Sequence, residues 1–485
     1  MRSFLSSSVV LALFVIGGDV VNGQAPAQAP AQVTAIRAGR LLDPEAGRIL
    51  TNQVIVVEGT RIRDVGPNVA IPAGARVIDL SGMTVMPGLV EAHNHLALTY
   101  KPFPENNIYY YTYVQESTAL RAIQAASNGI QMLASGFTIV RDMGNNALYA
   151  DTALRQAIDQ GWIPGPTIIN SGIIIGGMGG QFFPTPEMVN DHNIVYPEYL
   201  DADTPDEIVK AIRQNVLFGA KVIKICVDCK PYGYTADEIR LVIREAAKSG
   251  MKVEGHVQTE RGARNAIEAG IWSIAHSGAL TDEFHKLMAQ KGIFRAGTET
   301  PPGLEGHPVG AQAYERTIAG MKNANANKVL MTFSTDADYW VQGKTRGELV
   351  LEFIKPWIDA GIPNADTLRA MTTNGYKISE TENTRGPIKA GFFADMIAMP
   401  GNPLEDLNAL KNVQFVMKDG QVFKQNGVVT PMAFFHAGPI NGWRIGRPAA
   451  HARRRNRDEQ ITAVTSADDD NGGALPPSFS EAAVV

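Results

Sequence analysis

The chain has 485 residues, 45% hydrophobic and 19% charged, with a formal net charge of −5. That is enough for one large domain and a smaller one, and without a basic excess no nucleic-acid partner is expected. Its two cysteines, Cys226 and Cys229, are too few for a disulfide framework.

In chain order, residues 1–23 read as a secretory signal. Arg2 provides the positive start, Val9 to Gly18 a short apolar core, and Val21-Asn22-Gly23 a small-residue cleavage site. The apolar run is too short to span a bilayer comfortably, so no stable membrane insertion is expected after cleavage. Residues 24–32 form a Pro/Ala linker. Residues 33–86 read as β-structure: Gln53–Thr60 and Arg61–Val65 are strand runs broken by Gly and Pro.

From 87 to 379, strands alternate with helices. Thr204-Pro205-Asp206-Glu207 and Thr235-Ala236-Asp237-Glu238 are helix starts, each with an N-cap threonine and a glutamate three residues later. Strands are expected near Leu89, Phe137, Thr167, Val222, Val253, Ser273, Phe294 and Leu330. About eight strands separated by helices suit an α/β fold, a (β/α)8 barrel. β signals return over 380–432, so a small β-sandwich domain is expected from both ends of the chain. Residues 433–485 are Arg-rich, then acidic, then rich in Gly, Pro and Ser, and read as a largely disordered extension.

Catalytic residues of such a barrel sit at the C-terminal ends of strands. His93 and His95 end the first strand and share one of its faces, because side chains alternate. Lys224, His256, His276 and Asp336 end the fourth, fifth, sixth and eighth. Singly, each has an ordinary reading: a core histidine, a surface lysine, a helix cap. Together at one rim they point to a metal site.

The chain also resembles the amidohydrolase superfamily. The matching stretches are Pro87-Gly88-Leu89 leading into His93 and His95, Gly136-Phe137-Thr138-Ile139-Val140-Arg141-Asp142, Lys221-Val222-Ile223-Lys224, Ser334-Thr335-Asp336, and Gly386 to Asp395 followed by Gly401-Asn402-Pro403-Leu404. The resemblance is closest to the imidazolonepropionase-like, prolidase and ochratoxinase branch. It implies two divalent metal ions, usually zinc. His93, His95 and Asp336 would bind one, His256 and His276 the other, and a carboxylated Lys224 would bridge both. A metal-bridging hydroxide would then hydrolyse an amide bond of a peptide-like or N-acyl amino-acid substrate, with Asp336 moving its proton.

The chain departs from the pattern around the pocket. Gln258 stands where related members often have a second histidine, Ala275 where they often have glutamate, and Cys226-Val227-Asp228-Cys229 where a Ser/Gly-rich loop is usual. The cysteines are expected to be structural, bonded or free. Tyr234 is a candidate for hydrogen-bonding the substrate carbonyl and equally a packing tyrosine. Gln258 and His307 are further substrate-binding candidates. His192, His285, His436 and His451 fall off the rim. An aromatic cluster (Tyr100, Phe103, Tyr109, Tyr110, Tyr111, Tyr113) is a candidate substrate cover or subunit contact, and a homo-oligomer is expected. Gly172 to Phe183 is expected to be flexible by composition. Two other functions compete: a hydrolase of a cyclic amide, lactone or aromatic amide conjugate on the same metals, and a non-catalytic binding protein that kept the fold.

Overall fold

The computed structural model describes residues 33–100, 112–113, 115–182, 186, 195–276, 278, 280–304 and 309–430. The expected signal, linker and C-terminal extension lie outside them. So do Phe103, Tyr109, Tyr110, Tyr111, His192, His307, His436 and His451.

The first four strands, β1 (Val33–Asp43), β2 (Arg48–Glu58), β3 (Arg61–Gly66) and β4 (Arg76–Pro87), join four from the C-terminal part: β15 (Met396–Met399), β16 (Phe415–Lys418), β17 (Gln421–Gln425) and β18 (Val428–Val429). Their order is β18-β17-β16-β15-β4-β1-β2-β3. The join is β4, which runs parallel to β1 on one edge and antiparallel to β15 on the other. Hydrogen bonding thus unites all eight strands in a single mixed sheet, drawn from both chain ends. It has its own apolar core, including Ile36, Ile55, Val85, Met396 and Phe415.

Between these segments lie parallel strands with intervening helices. One sheet has the order β5 (Leu89–Asn94), β6 (Phe137–Asp142), β7 (Thr167–Asn170). The other runs β14 (Leu330–Thr332), β13 (Phe294–Ala296), β12 (Ser273–Ala275), β11 (Val253–His256), β10 (Ile223–Cys226), β8 (Ile174–Gly176), β9 (Tyr199–Asp201). Eight of these strands fall where the sequence places them. Of the other two, β8 corrects the reading of Gly172 to Phe183 as flexible, and β9 is a strand that the sequence did not mark. Ile173, Ile174 and Ile175 are buried, and β-branched residues pack well in a pleated sheet. That outweighs the glycines that follow.

Both expected capping boxes form, starting the helices Pro205–Leu217 and Ala236–Ala247. Backbone bonds also run between the two parallel sheets. Ala92 N–H donates to Phe333 O (2.9 Å) and Asp336 N–H to His93 O (2.8 Å); on the far side, Lys221 N–H donates to Asn170 O (2.7 Å). Close approach needs glycine at position 88, where a Cβ would lie 2.2 Å from Thr138 Oγ1. No helix among the described residues is long and apolar enough to cross a membrane.

A buried ion pair braces the loop above β6. Arg121, on the helix Thr118–Ala134, pairs with Glu198 and also donates to Asn145 O. Burial alone would lower the Arg121 pKa, but the Glu198 carboxylate outweighs it and raises it. Removing one partner leaves an uncompensated buried charge. Glu198→Ala is therefore expected to cost about 3–5 kcal/mol of stability, read as a lower urea midpoint. An unchanged midpoint would refute the brace.

Candidate active site

The site grows from strand ends. Along β5 and the residue that follows it, alternation puts Glu91, His93 and His95 on one face. Glu91 accepts the Thr335 N–H at 2.8 Å, which ties β5 to the segment carrying Asp336. Burial pushes the Glu91 carboxyl up to about 8. Asp336 then lies with Oδ1 2.8 Å from His95 Nε2 and 3.3 Å from His93 Nε2. From β10, Lys224 Nζ reaches within 3.4 Å of His93 Nε2. From the ends of β11 and β12, the rings of His256 and His276 pack with centroids 4.2 Å apart, and His276 Nδ1 lies 3.7 Å from Asp336 Oδ2. All six residues expected at the rim therefore come together.

Two of them sit on unusual backbone. His276 and Asp336 have φ of 65° and 56°, the left-handed region that L residues enter only at a cost of roughly 1–3 kcal/mol. Such strain at two strand ends turns both side chains toward the same point.

Outer partners orient the imidazoles. His95 Nδ1 is 2.7 Å from Gly144 O. A carbonyl only accepts, so that nitrogen carries the proton and Nε2 is left facing inward. His93 Nδ1 is 2.7 Å from Glu254 Oε1, and His276 Nδ1 is 3.0 Å from Thr298 Oγ1. Metal-ligating histidines are held in this way. His93, His95 and Asp336 place their ligand atoms within 4.8 Å of one another. The donor set of imidazole nitrogens and a carboxylate fits a divalent metal such as zinc.

The electrostatics agree. Burial, with the neighbouring cationic groups, lowers the pKa of both His256 and His276, the latter to about 3, so both are neutral at neutral pH, as a ligand must be. Burial likewise lowers the Lys224 pKa. Asp336 would be raised by burial, but His276, His93 and His95 outweigh this and hold it well below its usual value. His95 is the exception. Burial lowers it, yet its bond to Asp336 wins and raises it to about 9. Metal-free His95 is therefore protonated at pH 7, and a cation must displace that proton. Metal uptake is expected to release protons at pH 7 and to tighten as pH rises toward 9. Calorimetry in buffers of different ionisation enthalpy checks this, and a buffer-independent heat would contradict it.

Other candidates fare differently. The Tyr234 hydroxyl donates to Ala202 O at 2.7 Å and the ring packs in the main core. Its proton is committed there, which favours the packing role over substrate binding. Gln258 is exposed and its backbone N–H is held by Asp228 at 3.0 Å. His285, off the rim, pairs with Asn323 at 2.5 Å. Cys226 and Cys229 form a disulfide. Their sulfurs lie near a His256 nitrogen but are bonded to each other. Sequence reasoning missed Glu254, Thr298 and Gln181, whose amide lies 3.3 Å from His256 Nδ1. Only Glu254 left a signal: a charged residue inside the strand Val253–His256, on the face of His256.

Comparisons with known proteins give the family. A family model described as the amidohydrolase family matches residues 84–423, well over half of the chain. An ochratoxinase of Aspergillus niger is 27% identical over 442 residues, spanning 82% of this chain and 88% of that protein. An imidazolonepropionase of Geobacillus sp. is 22% identical, over 78% of this chain and 92% of its own length. A crystal structure of a Xaa-Pro dipeptidase with bound methionine in the active site superposes with a TM-score of 0.70 at 26% identity, covering 81% of this chain and all of that one. A cluster of side chains that could hold a metal ion, in a stretch that this family model spans, leads to one conclusion: the chain belongs to the amidohydrolase family, and is a hydrolase acting on carbon–nitrogen bonds.

Proposed function

We propose that this is an exported, binuclear metal-dependent amidohydrolase that cleaves an amide bond of a peptide-like or N-acyl amino-acid substrate. The observation that carries it is the meeting of His93, His95, Lys224, His256, His276 and Asp336. In this reading the eight strands β5, β6, β7 and β10 to β14 make one closed barrel. The backbone bonds Ala92 to Phe333 and Lys221 to Asn170 support that closure. The signal-like residues 1–23 support export.

His93, His95 and Asp336 would hold one divalent cation, most naturally zinc, and His256 and His276 a second. When bound, the pair supplies Lewis acidity and lowers the pKa of water. Lys224 would lie between them. A free ammonium cannot ligate a cation. Burial that lowers its pKa favours the neutral amine, and only that form adds carbon dioxide: the nitrogen lone pair bonds to carbon and one proton leaves, giving a carbamate with two anionic oxygens. Asp336 would accept a proton from the attacking water and deliver it to the leaving amine.

A second reading, an aromatic amide conjugate as substrate, has its own support. Tyr113, Phe182 and Tyr199 stack edge to face at 5.1 and 5.3 Å, and Tyr199 donates to Gln181, beside His256.

The test is metal content of the purified protein together with hydrolysis of dipeptides, N-acyl amino acids, aromatic amides and lactones. About two metal equivalents and chelator-sensitive cleavage support the reading. No metal after supply of zinc and bicarbonate would overturn it in favour of a binding protein.

A further inference from the structure

Glu254 is completely buried and lies two residues before His256, on the same face of β11. Its two carboxylate oxygens have separate tasks. Oε1 faces His93 Nδ1 at 2.7 Å and lies 3.6 Å from Lys224 Nζ. Oε2 accepts from Arg141 Nη1 at 2.7 Å and from Ser273 Oγ at 2.8 Å. Arg141 is itself fully buried and its Nη1 also donates to Ala92 O at 2.9 Å. One carboxylate therefore links β5, β6, β11 and β12 beneath the rim. Among the described residues, the groups in hydrogen-bond reach of the other three imidazoles from outside the cluster are uncharged: the Gly144 carbonyl for His95, the Thr298 hydroxyl for His276 and the Gln181 amide near His256. An anionic partner fixes an imidazole's orientation and raises its basicity as a ligand.

We propose that Glu254, anchored by Arg141 and Ser273, is the positioning residue of the metal centre: it holds His93 with Nε2 toward the cations and makes the His93–His95–Asp336 position the tighter of the two. This rests on the binuclear reading above. Burial of the Arg141–Glu254 pair as a mere structural link predicts something else, a change in stability with no preference between metal positions.

Zinc competition against a chromophoric chelator separates these. The wild-type protein is expected to load in two steps. Glu254→Gln, which keeps the volume and one accepting oxygen, is expected to weaken the tighter step by about 10- to 100-fold and to leave the weaker step nearly unchanged. Glu254→Asp, which keeps the charge but shortens the reach to His93, is expected to do the same and serves if the glutamine variant fails to fold. Ser273→Ala, which removes one of the two donors to Oε2, should weaken the tighter step by less than the Glu254 variants do, because Arg141 Nη1 still holds that oxygen. Thermal midpoints of the metal-free variants are read in parallel. A folded Glu254 variant with both steps intact, or with both weakened equally, overturns the proposal while the binuclear reading stands. A wild-type protein that binds no zinc overturns both.

Discussion

Lys224→Ala is expected to lower bound metal from about two equivalents to one or fewer and to reduce kcat/KM by about a thousandfold. The side chain is 2% exposed, with its nitrogen 3.4 Å from His93 Nε2. Only a carbamate at that nitrogen could offer two cations a shared anion. Without it, two like charges would face each other across a buried gap. Loss of roughly 4 kcal/mol of transition-state stabilisation corresponds to that thousandfold change. The fold should survive, because alanine here removes no ion pair from the core except the 3.6 Å contact with Glu254, whose charge Arg141 still balances. Elemental analysis and steady-state kinetics decide the matter. Added short-chain carboxylates should restore part of the metal and the rate. Unchanged metal content and rate would remove Lys224 from the site.

The second large effect is expected at Asp336. Asp336→Asn should keep the fold, because asparagine tolerates a φ of 56° about as readily as aspartate. It should also keep at least one metal through His93 and His95. Turnover should nonetheless fall by about 10²- to 10⁴-fold, the ordinary contribution of a positioned proton carrier. The loss should appear in kcat more than in KM, since an amide oxygen is a poor base but fills the same space. Near-wild-type kcat would show that proton transfer runs through another group.

Much of this protein was legible in its sequence because the signals are local. Strand alternation places His93 and His95 on one face, capping boxes mark helix starts at Thr204 and Thr235, and apolar runs mark the strand that carries Lys224 and the one that precedes Asp336. The signal also holds for the sheet that uses both ends of the chain: two β-rich segments flanking an α/β region have few other partners.

The parts that were not legible depend on long-range contact. A run of glycines after Ile175 masks β8, which forms because β10 offers it an edge. Tyr234 sits beside a helix cap in a chain position suggestive of a pocket, yet its hydroxyl is taken by Ala202, 32 residues earlier. Glu254 has an ion-pair partner, Arg141, 113 residues away; no local rule joins them. Residue order alone fixes which side chains stand on or just beyond each strand, and hence the chemistry available at the rim. Which way each imidazole faces and which buried charges balance depends on the folded chain, because an ionised carboxylate in the interior is stable where distant strands bring it its partners.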